Sequence, residues 1–488
     1  MPKYIAKQLK LLDLKKCNSV ADIVEGMTLC SFGARMLGEA TAKIREWITQ
    51  EKPPLVIYDG KLDSPLGRLL QEMSDRQWLA GIISQQDYAA TSKREISKRA
   101  ENLIILGAYS ENFEAALSNP SGETIFINAF GMAKSADIAD GYFPNVVFSE
   151  PSFVVPVIFT VLEERLKGKH TTVTQFISEL IAYGGLAAEV SKGAHTLLAM
   201  VDDPGCTVVL TLSGAMTIAK MGLIICDLVD QEMVHAICST GALMAHGLVE
   251  SIGLSHFKYN PKDDDINLAQ QRINRVTDTL EPETNLDHIE QIISQVLDQY
   301  HDNAPLSPRL LHGAIGEYLT QKYPRERGIL KSAYEQNVPV FVPAFYDSEI
   351  GNDIYTHNRG RELQGRDAIP FNLELDTKYL LDLVTSSEKI GIFTIGGGVP
   401  RNFMQNIAPL IELMNERQVA DLPEKKFAYG CRICPDPMYY GHLSGCTYSE
   451  GMSWRKMEAN GLFSEIRADA TQILPFLVKF VMEAQEKA

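Results

Sequence analysis

The sequence has no apolar run of about 18 residues, so no membrane-spanning helix is expected. It has no excess of positive charge: 46 Lys and Arg against 62 Asp and Glu give a net charge of −16. Nucleic acid and anionic membrane are therefore poor partners, while an acidic surface tolerates, and can attract, a cationic substrate. Cysteine is too sparse for a disulfide framework, with 8 in 488 residues, and reduced thiols in a cytoplasm fit better. The basic start, Met1 to Lys16, carries no apolar core of a secretory signal. What remains is a chain 45% hydrophobic and 22% charged, which is globular and too long for one ordinary core.

Short apolar runs alternate with amphipathic stretches along the chain. The runs are Leu55–Tyr58, Leu103–Leu106, Thr124–Asn128, Thr207–Leu212, Val234–Cys238, Val338–Val342 and Ile390–Ile395. The stretches between include Ala34–Ile48 and Leu310–Lys322. Buried parallel strands alternating with helices imply a doubly wound, mostly parallel, Rossmann-like α/β sheet. Ligands then bind beyond the carboxyl ends of the strands. Residues 255–310 interrupt the alternation with a polar excursion, and the Lys262-Asp263-Asp264-Asp265 run reads as a solvated loop.

The chain also resembles itself. Val20–Ser84 superposes on Thr174–Ser239, placing Ala34 on Ala188, Gly60 on Gly214, Asp75 on Asp230 and Ser84 on Ser239. Leu103–Phe113 resembles Phe393–Phe403, and Ser149–Glu164 around Pro156 resembles Ala468–Glu483 around Pro475. Three echoes in the same order predict a degenerate partial α/β repeat over 1–168, followed by a complete domain over 169–488. The joint falls at Lys167–Thr172.

Candidate chemistry concentrates in the second part. Gly396-Gly397-Gly398 follows an apolar run and precedes a helical pattern, where glycine lets backbone N–H groups approach a phosphate. This is not G-x-G-x-x-G, and tight-turn packing competes with that reading. Ser213-Gly214 and Thr240-Gly241 also sit just past strands. Lys456 lies beside Trp454, within reach of Glu450, where a desolvated amine could act as a nucleophile; a surface lysine is the competing reading. Cys431, Cys434, His442 and Cys446 have the spacing of a zinc knuckle, but buried thiols beside a loop histidine are preferred, and no metal is assigned.

Seven stretches carry a family resemblance: LSGAMTIAKMG (212–222), STGALMAHGLVE (239–250), NRVTDTLEPE (274–283), VPVFVPAFYDSEIGNDIYTH (338–357), IGGGVPRNF (395–403), LSGCTYSEGMSWRKM (443–457) and RADATQILPFL (467–477). In order and spacing they resemble deoxyhypusine synthase and its bacterial homologues. The resemblance implies NAD in a Rossmann-like fold and oxidation of a polyamine such as spermidine by hydride transfer. The aminobutyl group is then captured as an imine on a lysine and passed to an acceptor. That acceptor would be a lysine of translation factor 5A or a small diamine, the latter making the protein homospermidine-synthase-like.

Carried over residue by residue, the family pattern assigns NAD to Ser213, Thr217, Thr240, Gly241, Gly397, Gly398, Asp469 and Ala470, with Asp347 at the nicotinamide end. Lys456 would form the imine with Glu450 as a second catalytic residue lining the polyamine site, and Trp454, Asn352, Asn402 and Leu443 would contact the substrate. A homo-oligomer with active sites at subunit interfaces is also implied. Four positions depart from the pattern. Asn352 replaces an aspartate, with Asp353 one place on; Asn402 replaces a histidine; Leu443 replaces an acid; and Arg455 replaces the glycine before the lysine. Fewer carboxylates and an added cation weaken binding of a fully charged triamine. Two other readings remain open: the same imine chemistry on another amine, and a non-catalytic paralogue that binds or regulates a partner.

Overall fold

The computed structural model describes residues 6–107, 122–128, 145–300 and 305–486. The echo of Leu103–Phe113 runs past residue 107 and its last part lies outside them. Two units divide the chain. One comprises Leu12–Lys192, Tyr259–Pro261 and Thr471–Ala488; the other comprises Met1–Leu11, Gly193–Lys258 and Lys262–Ala470. Among the described residues, no helix is long and apolar enough to cross a membrane.

The first unit holds a parallel sheet of β1 (Leu55–Tyr58), β2 (Gly81–Ile83), β3 (Leu103–Leu106), β4 (Thr124–Ile127) and β5 (Val146–Val147), in the order β2-β1-β3-β4-β5. Runs such as LVIY and LIIL form strands because β-branched and aliphatic side chains fill both faces of a covered parallel sheet. Leu55, Ile57, Leu103 and Ile105 pack there with Tyr88 and Ile96. Serine hydroxyls start the helices: Ser19 caps Val20–Met27, Ser64 caps Pro65–Asp75 and Ser84 caps Gln85–Ala90, each accepting from an otherwise orphaned amide. This unit gathers distant stretches because the Glu483 carboxylate accepts from the Val173 and Thr174 amides, at 3.1 and 2.8 Å, capping the helix Val173–Leu180. Compactness therefore follows a different line from the sequence boundary at 168/169.

The second unit is built on β6 (Cys206–Leu212), β7 (Ala236–Cys238), β11 (Val340–Phe341), β12 (Lys389–Ile395), β13 (Phe427–Ile433) and β14 (Met457–Ile466). The order is β11-β7-β6-β12-β13-β14, and every pairing is parallel. The chain is thus doubly wound α/β, as its alternation implies. Inside the sheet Thr211 and Thr394 pair their hydroxyls at 3.0 Å, so two buried polar groups satisfy each other. β11 is shorter than the apolar run Val338–Val342 because Pro339 and Pro343 flank it and have no N–H to give a ladder.

The sequence shows little of β13 and β14. β14 is the edge strand, and its mix of exposed and half-buried side chains leaves no apolar run. The polar excursion contains a small antiparallel sheet of β8 (Phe257–Lys258), β9 (Ile273–Val276) and β10 (Thr279–Pro282), in the order β8-β10-β9. Its acidic run is structural: Asp264 caps the helix Asp265–Gln270 and Asp265 pairs with Arg275 at 2.6 Å.

Candidate functional site

Because the strands of the second sheet run parallel, their carboxyl ends share one edge. Ser213 follows β6, Thr240 follows β7, Asp347 follows β11, Gly396–Gly398 follow β12 and Asp469 follows β14. The glycine run has two uses. Gly396 and Gly398 have φ of +81° and +67°, a region costly for other residues. The Gly397 amide donates to the Ser213 hydroxyl at 3.0 Å, and a Cβ there would lie 2.8 Å from the Ser444 carbonyl. Gly397 is therefore a packing glycine, whereas a Cβ at Gly398 would meet open space. Gly398 opens the helix Gly398–Gln405, which has no side-chain cap, so its first amides are not used by a capping group.

The hydroxyls near β7 are committed to structure. Thr217 is buried and donates to the Leu243 carbonyl at 3.0 Å, while Thr240 caps the helix Gly241–Ser251 by accepting from the Leu243 amide. Gly241 is close-packed, since a Cβ there would lie 2.4 Å from the Ser348 hydroxyl. Ser348 in turn caps the helix Glu349–Leu363, and Asp347 stands exposed just before it. Ala470 is buried at the start of the helix Ala470–Gln485, next to Asp469.

A cleft of about 740 Å³ opens between the helix Gly398–Gln405 and the segment 442–456. Asn402, Leu443, Glu450, Trp454 and Lys456 all line it. Asn352 does not: it lies exposed on the helix Glu349–Leu363. Its neighbour Asp353 supplies no replacement carboxylate in the cleft. It sits among Glu290 and Glu349, and burial, followed by repulsion from those acids, pushes its carboxyl up to about 7.

Lys456 is placed by the short helix Tyr448–Ser453, which Thr447 caps and which puts Glu450 in its first turn. Beyond it Arg455 takes φ of +58°, the left-handed turn for which glycine is the unstrained residue. That turn lets the Lys456 amide donate back to Gly451 at 3.0 Å. The lysine then points into the cleft, with Nζ donating to Asn402 Oδ1 at 2.9 Å and lying 5.8 Å from the Trp454 ring. Burial, aided by the nearby Arg401 charge, lowers the Lys456 pKa from its ordinary 10.5. The Arg455 guanidinium is engaged elsewhere, in ion pairs with Glu412 and, at 3.9 Å, Glu416. The Arg455 charge beside Lys456 is thus largely neutralised, because the left-handed turn sends consecutive side chains to different neighbours.

Two buried arginines, which sequence reasoning gave no role, hold the wall of the cleft. Arg401 donates to the Cys446 carbonyl at 2.7 Å and stacks over the Tyr448 ring at 5.2 Å. Arg432 donates to the carbonyls of Ser444, Gly445 and Cys446 and lies 3.2 Å from Glu465. Glu465 accepts from the Tyr448 amide at 2.7 Å, joining the wall to β14. Arg401 was visible only as a position within IGGGVPRNF, and Arg432 only as a spacer between cysteines.

The cysteines do not assemble with His442. Cys431 belongs to β13 and its buried thiol donates to the Gly193 carbonyl at 3.5 Å, while Cys434 lies 3.6 Å from the Ser444 carbonyl. Among the described residues, the one group of three His, Cys, Asp or Glu side chains close enough to share an ion is His246, His256 and Glu281.

Fold and cleft together define a class: a doubly wound parallel α/β protein with glycines and capping hydroxyls along one sheet edge and a desolvated lysine in a neighbouring cleft. The family description "Deoxyhypusine synthase" matches residues 175–481, and the chain belongs to that family. It is 30% identical over 325 residues to the probable deoxyhypusine synthase of Methanosarcina thermophila, covering 66% of this chain and 95% of that one. It is 28% identical over 316 residues to the probable deoxyhypusine synthase 2 of Methanosarcina mazei, covering 64% and 88%. The deoxyhypusine synthase-like protein of Chlorobaculum parvum is 29% identical over 314 residues, covering 64% and 86%. Among solved structures, a putative deoxyhypusine synthase from Entamoeba histolytica aligns with a TM-score of 0.44 at 14% identity, covering 64% of this chain and 94% of that one.

Proposed function

We propose that the protein is an NAD-dependent aminoalkyl transferase that works through an imine on Lys456, with a polyamine such as spermidine as donor. The observation that carries this reading is the Lys456 amine: half-buried, shifted toward its neutral form, and aimed into the cleft by Asn402. The residues at the sheet edge fit a dinucleotide, since Gly398 leaves open space at an uncapped helix N-terminus. Gly398, Asp469 and Ala470 would hold it, with Asp347 toward the nicotinamide, while Ser213, Thr217, Thr240, Gly241 and Gly397, whose hydroxyls or Cα faces are committed to the protein, would shape the edge around it. Bound NAD would accept the hydride whose loss makes a donor amine an electrophilic imine, and would give it back to the final imine.

The chain's own groups perform the exchange. Neutral Nζ of Lys456 adds to the carbon of the protonated imine; one proton passes from Nζ to the original nitrogen, which leaves as the neutral amine, and the aminoalkyl group stays as a protonated imine on Lys456. Asn402 orients Nζ through its amide oxygen. Glu450 and the Trp454 face attract an alkylammonium chain. Arg401 disfavours protonation of the lysine. An acceptor amine repeats the exchange at the Lys456 imine and frees the lysine.

Among the described residues Glu450 is the one carboxylate lining the cleft, which also favours a second reading: the same chemistry on a less highly charged amine. The acceptor would be a diamine or a lysine of translation factor 5A. The protein would act in the cytoplasm as a homo-oligomer, apart from nucleic acid and membrane. Incubation with NAD and spermidine, followed by borohydride, should fix an aminobutyl adduct on Lys456. Adding putrescine or the translation factor then separates the two acceptors. Without an adduct on any amine tested, the non-catalytic paralogue becomes the better account.

We further propose that residues 1–168 are a degenerate partial copy of the domain over 169–488. Agreement of strand order and a shared pairing register support it. The helices Pro151–Lys167 and Ala470–Gln485, each with an internal proline, also occupy corresponding places in the sequence order.

A further inference from the structure

The group formed by His246, His256 and Glu281 has no part in the lysine chemistry. His246 lies on the helix Gly241–Ser251, His256 just before β8, and Glu281 in β10. One ligand-type atom from each lies within 4.8 Å of the others. His256 and Glu281 are almost wholly buried, at 0% and 1% exposure.

Glu281 is paired by distance but not by geometry. His246 Nδ1 lies 2.7 Å from one of its oxygens and His256 Nε2 lies 3.3 Å from the other. By strict hydrogen-bond geometry these atoms are unsatisfied, and the contacts hold Glu281 as ion pairs only when the imidazoles are protonated. A buried carboxylate with both oxygens unbonded is a costly arrangement, usually relieved by a cation. Tetrahedral ligands at about 2.0–2.1 Å from zinc lie roughly 3.3 Å apart; the His256 contact has that spacing, and the 2.7 Å His246 contact would have to open by about half an ångström to admit the ion.

The outer partners support the same occupant. A histidine that binds metal through one nitrogen usually donates its other N–H to a carboxylate. Glu349 Oε1 lies 3.8 Å from His246 Nε2, and Glu250 Oε1 lies 3.7 Å from His256 Nδ1. Each histidine thus has Glu281 on one nitrogen and an acid beyond the other. Lys220, ion-paired with Glu250, also lies 2.7 Å from His256 Nδ1. With a cation on Nε2, Nδ1 carries the proton and turns to Glu250, and Lys220 remains on that carboxylate.

We infer that His246, His256 and Glu281 form a divalent-metal site of the zinc class, with Glu349 and Glu250 orienting the two imidazoles. The fourth position is left to water or a substrate oxygen.

Chelator-treated full-length protein should take up one zinc or cobalt per chain and melt at a higher temperature when loaded. The cobalt form should show nitrogen and oxygen ligation, with no thiolate charge-transfer band. Glu281→Gln and, at the partly exposed position, His246→Asn should abolish uptake and melting shift alike. Glu250→Gln should weaken binding about 10–100-fold. Absence of stoichiometric uptake overturns the site, as does uptake that survives in a folded His246→Asn variant. A thiolate band would equally overturn it, by placing the ion on the cysteines.

Discussion

The two large parallel sheets share a plan. The first runs β2-β1-β3-β4-β5, and the second runs β7-β6-β12-β13-β14 with β11 added beyond β7. In the first, Leu55 pairs with Gly81; in the second, Val209 pairs with Ala236, the positions on which the sequence superposition places them. Yet β1 and β3 have 4 residues each where β6 and β12 have 7. The sequence after β3 reads Gly107-Ala108-Tyr109 where that after β12 reads Gly396-Gly397-Gly398. The first part also offers no counterpart to Lys456. Apolar patterning thus gives both sheets the same winding, while the residues beyond the strand ends, where ligands bind in folds of this kind, differ between them.

The largest expected effect tests that asymmetry. Lys456→Arg should reduce aminoalkyl transfer by about 10³-fold or more, and peptide mapping of the borohydride-reduced protein should find the adduct on Lys456 and on no lysine of residues 1–168. An adduct on an N-terminal lysine would break the contrast. Next come the cores. Leu103→Ala in β3 and Ile392→Ala in β12 remove fully buried side chains at matching central strands, and each should cost about 2–5 kcal/mol in urea unfolding. Unequal losses would show that one core closes around the cavity better than the other.

Asn402→Asp should act through the lysine's charge. The native pKa of Lys456 lies below 10.5, so activity rises with pH as the amine becomes neutral at that lowered value. A carboxylate at 2.9 Å favours the ammonium, so the rise should move to higher pH and the rate near neutrality should fall about tenfold. An unmoved pH profile would separate the lysine from the rate-limiting chemistry. Smallest is Arg455→Gly. Relief of the left-handed turn should add about 1 kcal/mol, less the few tenths held in an exposed ion pair, with the melting temperature rising slightly. A marked gain in polyamine affinity would instead mean that the guanidinium acts on the substrate after all.

Much was legible beforehand where one physical rule acted alone. Covered parallel strands must be apolar on both faces, so β1, β3, β6 and β12 stood out. β14 did not, because an edge strand needs no such run. Glu450, Trp454 and Lys456 could be placed together because a short helix and turn keep them local. Arg401 and Arg432 could not be seen, since their value lies in carbonyls more than ten positions away in sequence. Asn352 was grouped with the lysine on family resemblance, yet its helix places it outside the cleft.

By itself the sequence determined the alternation of strand and helix, because local composition and spacing encode it directly, and its ordered motifs carried the family and the expectation placed on Lys456. Only the tertiary structure decided which of the Gly396–Gly398 glycines is packed and which is open. It alone turned Arg455 away from the amine, and brought His246, His256 and Glu281 within reach of one another. Each of these depends on the direction of a side chain or backbone turn, set by contacts between segments that no local pattern records.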